Sequence, residues 1–176
     1  MSIETACSAS MVALHEACQA LYSGECSSAI VGGANLILTP TLHMSLSSSG
    51  VLSPDGICKT FDAAADGFGR AEAVNAVLLK PLDDAIRDGD VIRAVIRATA
   101  VNNDGRTLIL TTPSAEAQED LIKQAYRKAG IEDFNDTAYF ECHGTGTMAG
   151  DTAETAAIAK IFHEGIYVGS VSGQIQ

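Results

Sequence analysis

Short apolar runs alternate with helix-forming stretches along almost the whole chain, and this alternation confines the fold to the α/β class, sheets layered against helices. Apolar positions Met11, Leu14, Cys18 and Leu21 recur at helical spacing from Ala6 to about Ser23, where Gly24 is placed to end the helix. Ala29–Ala34 reads as a buried strand, extended by Leu36 to Leu38. Residues 40–56 read as loop with one short helical turn. Further strands are expected at Ala73–Lys80, Val91–Val101, Thr137–Cys142 and Tyr167–Val171. Helices are expected at Leu82–Asp88, from Pro113-Ser114 to Ala129 with Gly130 closing it, and from Asp151 to about His163. There Asp151-Thr152-Ala153-Glu154 reads as a capping box, Asp151 as N-cap and Glu154 reaching back.

Composition bears on the core and on partners. The chain has no Trp and 5% aromatic residues, so the core is expected to rest on Ala, Val, Ile and Leu. A net charge of −11 repels phosphate backbones and anionic lipid, which argues against nucleic acid and membrane partners. No run approaches the apolar length of a bilayer span, and the amino terminus lacks a basic-then-apolar secretory pattern, so a cytoplasmic location is expected.

The five cysteines show no metal-ligand spacing, so no metal site is expected and most read as reduced core fillers. Cys7 differs from the rest. It stands at the mouth of the first helix among small neighbours, Ala6, Ser8, Ala9 and Ser10. Helix-terminal N–H groups lower a thiol's pKa and can hold an oxyanion, so Cys7 is a candidate nucleophile, with a buried inert thiol as the alternative.

His143 follows the strand ending at Cys142 and opens the turn Gly144-Thr145-Gly146-Thr147. A strand's carboxyl end in an α/β sheet faces the usual ligand crevice; a plain strand-capping histidine is the alternative. Gly144 to Ala149 also fits the dinucleotide pattern G-x-G-x-x-A, but the next strand leads into Ser172-Gly173-Gln174 with no acid for a ribose, which argues against it. A calcium loop from Asp62 to Ala73 fails at Ala64 and Ala73. His15, His43 and His163 read as ordinary surface or loop residues.

Taken in order, these stretches resemble the β-ketoacyl synthase family, most of all ketosynthase domains of type I polyketide synthases, with wording nearest the fungal iterative ones. The resemblance is carried by Ile3-Glu4-Thr5-Ala6-Cys7-Ser8-Ala9-Ser10, Val31-Gly32-Gly33-Ala34-Asn35, Leu52-Ser53-Pro54-Asp55-Gly56 and Lys59-Thr60-Phe61-Asp62. It continues through Ala65-Asp66-Gly67-Phe68-Gly69-Arg70, Val101-Asn102-Asn103-Asp104-Gly105, Pro113-Ser114-Ala115-Glu116-Ala117-Gln118 and the turn at His143.

The resemblance implies a thiolase-like fold, layered helix–sheet–helix–sheet, and decarboxylative Claisen condensation of acyl and malonyl-type thioesters. Cys7 would accept the acyl chain and His143 would assist decarboxylation. Thr145 and Thr147 would bind the pantetheine arm, and Glu154 would support the histidine site through a lysine-centred network. No cofactor would bind directly, because substrates arrive on the phosphopantetheine of an acyl carrier protein. The full domain would be a homodimer. Alternatives are a type II fatty-acid β-ketoacyl-carrier-protein synthase and a non-catalytic acyl-binding partner; retained Cys7 argues against the latter.

Departures from the family pattern shape one more expectation. Ser172 and Gln174 stand where the family has a lysine and an asparagine, Ala71 where a glycine is common, and Leu108-Ile109 where Pro-Gly is usual. Residues 1–176 are expected to be a partial ketosynthase domain, truncated at both ends, running from the active-site cysteine to just before a second catalytic histidine. Such a piece should leave sheet edges and apolar surface exposed and should not condense substrates alone. Its acidic surface should also attract acidic carrier proteins weakly, leaving docking to basic patches elsewhere.

Overall fold

A computed structural model describes residues 1–108 and 111–174. Ile109 of the Leu108-Ile109 pair and the terminal Gln176 lie outside the described residues. The chain divides into two compact units, Met1–Leu36 with Glu72–Val101, and Ile37–Ala71 with Asn102 onward.

In the first unit, helix α1 (Ala9–Tyr22) packs on strand β1 (Ala29–Asn35). Strand β2 (Ala73–Leu79) pairs antiparallel with β1, placing Val31 opposite Val77 and Gly33 opposite Asn75. A side chain at Gly33 would stand 3.3 Å from the Cβ of Ser10, so this face of the ladder lies against α1's first turn. Cys18 and Val31 are buried there. Strand side chains alternate, so Ile30, Gly32 and Ala34 with Leu78, Ala76 and Val74 form the other face. That face is bare, with Ile30 77% and Leu78 69% exposed. The expectation of exposed apolar sheet surface is met here. Helix α2 (Pro40–Ser48) belongs to the second unit and α3 (Leu82–Asp88) to the first. Helix α3 begins after Pro81, carries Asp83 and Asp84 in its first turn, and ends at Gly89 with φ 72°.

Two expectations fail here. Leu36–Leu38 does not extend β1. Residues 91–101 form no strand, because no neighbouring strand pairs with them among the described residues. Alternating β-branched residues and arginines license extension, but a strand needs a ladder. His15 is no plain surface residue either: its Nδ1 lies 2.7 Å from the hydroxyl of Thr99.

The second unit is built on helices α4 (Ala115–Ala129) and α5 (Met148–Ile161), which pack together, and on strands β3 (Phe140–Glu141) and β4 (Val168–Gly169), which pair in parallel. The short helix α6 (Val171–Gln174) follows β4. Ser114 caps α4 by accepting from the amide of Ala117, and Gly130, φ 64°, ends it, as the sequence predicts. The strand expected over Thr137–Cys142 shrinks to two residues. Proline at the start of α2 pre-sets a helical φ, and the segment read as loop carries nine helical residues.

The core of this unit keeps the expected aliphatic residues, Ala157, Ile158 and Ile161 among them, and adds aromatic rings. Cys142, Ile158, Ile161 and Phe162 are buried, with Phe61, Tyr126, Phe134 and Phe140 packed against them. Ring centroids lie 4.9 Å apart for Tyr126 and Phe134 and 5.7 Å apart for Phe140 and Phe162. Phe61, Tyr126, Phe134, Phe140 and Phe162 are gathered in one place, where they remove a large apolar area from water. Among the described residues no helix is long and apolar enough to cross a membrane.

Candidate active site

Cys7 lies in a single 3-10 turn, Ala6–Ser8, that leads into α1. The expected helix therefore begins three residues later than its periodicity suggests. Ala6 turns the chain with φ 54°, a left-handed conformation uncommon outside glycine. Ser8 occupies the N-cap of α1 without capping it; its hydroxyl lies 2.9 Å from both the carbonyl and the hydroxyl oxygen of Thr5. Of the five cysteines Cys7 is the exposed one, Cys18 and Cys142 are buried, and Cys26 and Cys58 are half-buried. The buried alternative thus falls for Cys7. Cys58 is engaged as an acceptor, its sulfur 3.2 Å from the amide nitrogen of Gly69.

The second unit brings the other four predicted site residues together. His143 is exposed at the end of β3. The chain then turns through Gly144 (φ 52°) and Gly146 (φ 74°) into α5. Gly144 is tightly confined: a Cβ there would stand 2.5 Å from Ser170 Cβ and 2.5 Å from Thr60 Cγ2. Only glycine fits both the conformation and the space.

Here the capping box is overturned. Thr147, not Asp151, is the N-cap of α5, and its hydroxyl accepts from the amide of Gly150 at 3.2 Å. Thr145 and Thr147 place their hydroxyl oxygens 3.0 Å apart. Freed from the cap, Glu154 accepts the amide of His143 at 2.6 Å and that of Gly144 at 2.9 Å. Buried Asp151 accepts the amide of Phe61 at 2.7 Å and that of Gly146 at 3.1 Å. Phe61 itself is left-handed, with φ 58°. Both carboxylates therefore hold the turn through charge-assisted hydrogen bonds.

Two further residues hold it that sequence reasoning passed over. Thr60 donates its hydroxyl to the carbonyl of Gly144 at 2.5 Å, and Ser170 donates to that of His143 at 3.0 Å. Thr60 lies in the motif stretch Lys59-Thr60-Phe61-Asp62 and Ser170 in the expected strand Tyr167–Val171, with no task assigned to either. Their partners are 84 and 27 residues away, so no local pattern could assign them a task.

Cys142, next to His143, is not part of the reactive surface. Burial first, then the nearby carboxylates of Glu154, Glu141 and Asp151, pushes its thiol up to about 12. Among the described residues no group of His, Cys, Asp and Glu could hold a metal ion.

Residues 1–85 match the family model described as beta-ketoacyl synthase, N-terminal domain, and residues 93–175 that described as beta-ketoacyl synthase, C-terminal domain. The chain is 61% identical over 175 residues to the highly reducing polyketide synthase VdtX of Byssochlamys spectabilis, covering 99% of this chain and 8% of that protein. It is 60% identical over 160 residues to the partially reducing polyketide synthase tpeA of Talaromyces stipitatus, covering 91% of this chain and 6% of that protein. Among solved structures it superposes on the ketosynthase from module 6 of the bacillaene synthase of Bacillus subtilis 168 with a TM-score of 0.93 and 44% identity, over 98% of this chain and 32% of that one. The oxazolomycin ketosynthase domain OzmH KS7 of Streptomyces albus JA3453 gives a TM-score of 0.93 and 40% identity, over 98% and 31%. The chain thus spans 8% or less of these curated relatives and about a third of the solved chains.

Proposed function

The chain belongs to the β-ketoacyl synthase family, with its α/β, thiolase-like fold, and from that premise we propose that residues 1–176 form part of the ketosynthase domain of a polyketide synthase. The observation that carries the chemistry is the exposure of Cys7, alone among the five cysteines. The polyketide synthases among its relatives favour this reading over a fatty-acid synthase.

In the proposed reaction the Cys7 thiolate attacks the carbonyl carbon of an acyl thioester. The tetrahedral intermediate collapses, the C–S bond to the carrier breaks, its sulfur leaves as a thiolate, and the acyl group rests on Cys7. The malonyl-type thioester then loses its carboxylate as carbon dioxide. The electron pair of the broken C–C bond becomes an enolate, whose oxygen takes a hydrogen bond from the His143 imidazole. The enolate carbon attacks the acyl carbon on Cys7, a new C–C bond forms, and the Cys7 thiolate departs. Thr145 and Thr147, their hydroxyls 3.0 Å apart, bind the pantetheine arm that delivers each thioester. Glu154 serves the site by fixing the amides on either side of the histidine's α-carbon.

We assign the substrates to acyl and malonyl-type thioesters carried on an acyl carrier protein, and the complete domain to a homodimer. The five cysteines, none of them in a disulfide among the described residues, fit a reducing cytoplasm. This chain covers about a third of the solved ketosynthase chains, so alone it is assigned the acyl-transfer half of the cycle and not the condensation.

The test is acylation. The chain is incubated with hexanoyl-N-acetylcysteamine and its peptides are weighed by mass spectrometry. The expected adduct is on Cys7 and is absent from Cys7→Ala. An adduct spread over the other thiols, or none on Cys7, overturns the assignment.

A further inference from the structure

Three consecutive peptide units run through the turn that presents His143, and each is gripped by side chains distant in sequence. The unit before His143 is held at its amide by Glu154. The unit after His143 is held twice, at the Gly144 amide by Glu154 and at the His143 carbonyl by Ser170. The unit after Gly144 is held at its carbonyl by Thr60. A peptide unit is planar, so pinning the two planes that flank an α-carbon fixes its φ and ψ. The direction of the Cα–Cβ bond is then set as well. The imidazole leaves the backbone along that bond.

Ser170 sits where packing alone would favour carbon, and Thr60 is half-buried on the same turn. Ser170 is 4% exposed, and its oxygen also lies 3.4 Å from the carbonyl of Gly144. Both side chains press on Gly144, so the turn is threaded between them with no room for a Cβ. A buried hydroxyl is tolerated only when hydrogen-bonded, and here the acceptors are the carbonyls that define the turn.

We propose that Ser170 and Thr60 are positioning residues for His143, clamping successive carbonyls of its turn so that the Cα–Cβ bond carrying the imidazole points in one direction. The inference rests on the ketosynthase reading for its catalytic consequence, but the clamp itself is a property of this chain.

Two measurements test it. The first is the pH titration of the His143 ring by NMR in the present chain, with His143→Gln assigning the signal. Ser170→Ala and Thr60→Val are expected to displace or broaden that resonance, and Thr60→Ser to restore it. Thr60→Ala replaces Thr60→Val should the latter not fold. A His143 signal unmoved by loss of either hydroxyl overturns the proposal.

The second is decarboxylation of malonyl-N-acetylcysteamine by the synthase that carries this segment. Misplacing a catalytic group by a fraction of an ångström should lower kcat by about tenfold or more while KM stays within about twofold. Thr60→Ser should recover the rate. Unchanged kcat in both Ser170→Ala and Thr60→Val overturns the proposal. A wild-type synthase that fails to decarboxylate defeats the ketosynthase reading instead, and the NMR titration still decides the clamp.

Discussion

The carboxylate of Glu154 accepts two consecutive amides, that of His143 at 2.6 Å and that of Gly144 at 2.9 Å. One side chain thereby ties the second turn of a helix to the strand end that carries the candidate acid–base group. Glu154→Gln leaves only one acceptor oxygen for two donors and turns an NH2 toward the other. Both this change and Glu154→Ala should cost about 1–3 kcal/mol in urea unfolding. Wild-type stability in Glu154→Gln would contradict the pairing.

Gly144 and Gly130 both adopt positive φ, but only Gly144 is enclosed. Gly130→Ala meets nothing within 4 Å and should cost about 1 kcal/mol from the left-handed backbone alone. Gly144→Ala adds a collision with Thr60 and Ser170, so its cost should exceed that of Gly130→Ala by about 1–3 kcal/mol. Equal midpoints for the two variants in chemical denaturation would refute the confinement.

Phe162 is the centre of the aromatic cluster, with Tyr126 and Phe134 each 6.1 Å away and Phe140 at 5.7 Å. Phe162→Ala opens a cavity that these rings cannot close without leaving their own contacts. The expected loss is about 3–5 kcal/mol, read from calorimetric or denaturant unfolding. Phe162→Leu should recover much of it.

The thiols should separate by burial. With iodoacetamide near neutral pH, Cys7 should alkylate first and Cys142 last, as followed by peptide mass spectrometry. Cys142 also makes stability depend on pH. Its folded-state pKa is raised to about 12, so the folded chain keeps a proton there that the unfolded chain loses. That contribution is intact below the ordinary thiol range and falls away as pH climbs from it toward 12. Cys142→Ala should flatten the alkaline limb of a stability–pH profile; an unchanged limb would argue against the shift.

Much of this architecture is written in short-range patterns. Helix α4 is bounded by Ser114 and Gly130, α3 by Pro81 and Gly89, and β2 by its apolar run, and each is legible within about fifteen residues. Cys7 and His143 could be singled out as candidates too, from a small-residue helix start and a glycine-flanked strand end. What the residues could not disclose was pairing at a distance. Residues 91–101 have strand-forming side chains, but among the described residues no strand forms a ladder with them. Asp151 and Glu154 fit a capping box by spacing, yet Thr147 caps the helix and leaves the acids to Phe61, Gly146, His143 and Gly144. A low aromatic count likewise concealed that five of the rings assemble into one cluster.

The hydrogen bond from Thr60 to Gly144 spans 84 residues. A chain emerging amino terminus first exposes the threonine long before its acceptor exists, and bringing such remote partners together carries a loop-closure penalty that local helices avoid. The corner bearing the imidazole is therefore a late product of chain synthesis. Until it closes, a nascent polypeptide carries Cys7 without the finished turn that presents His143.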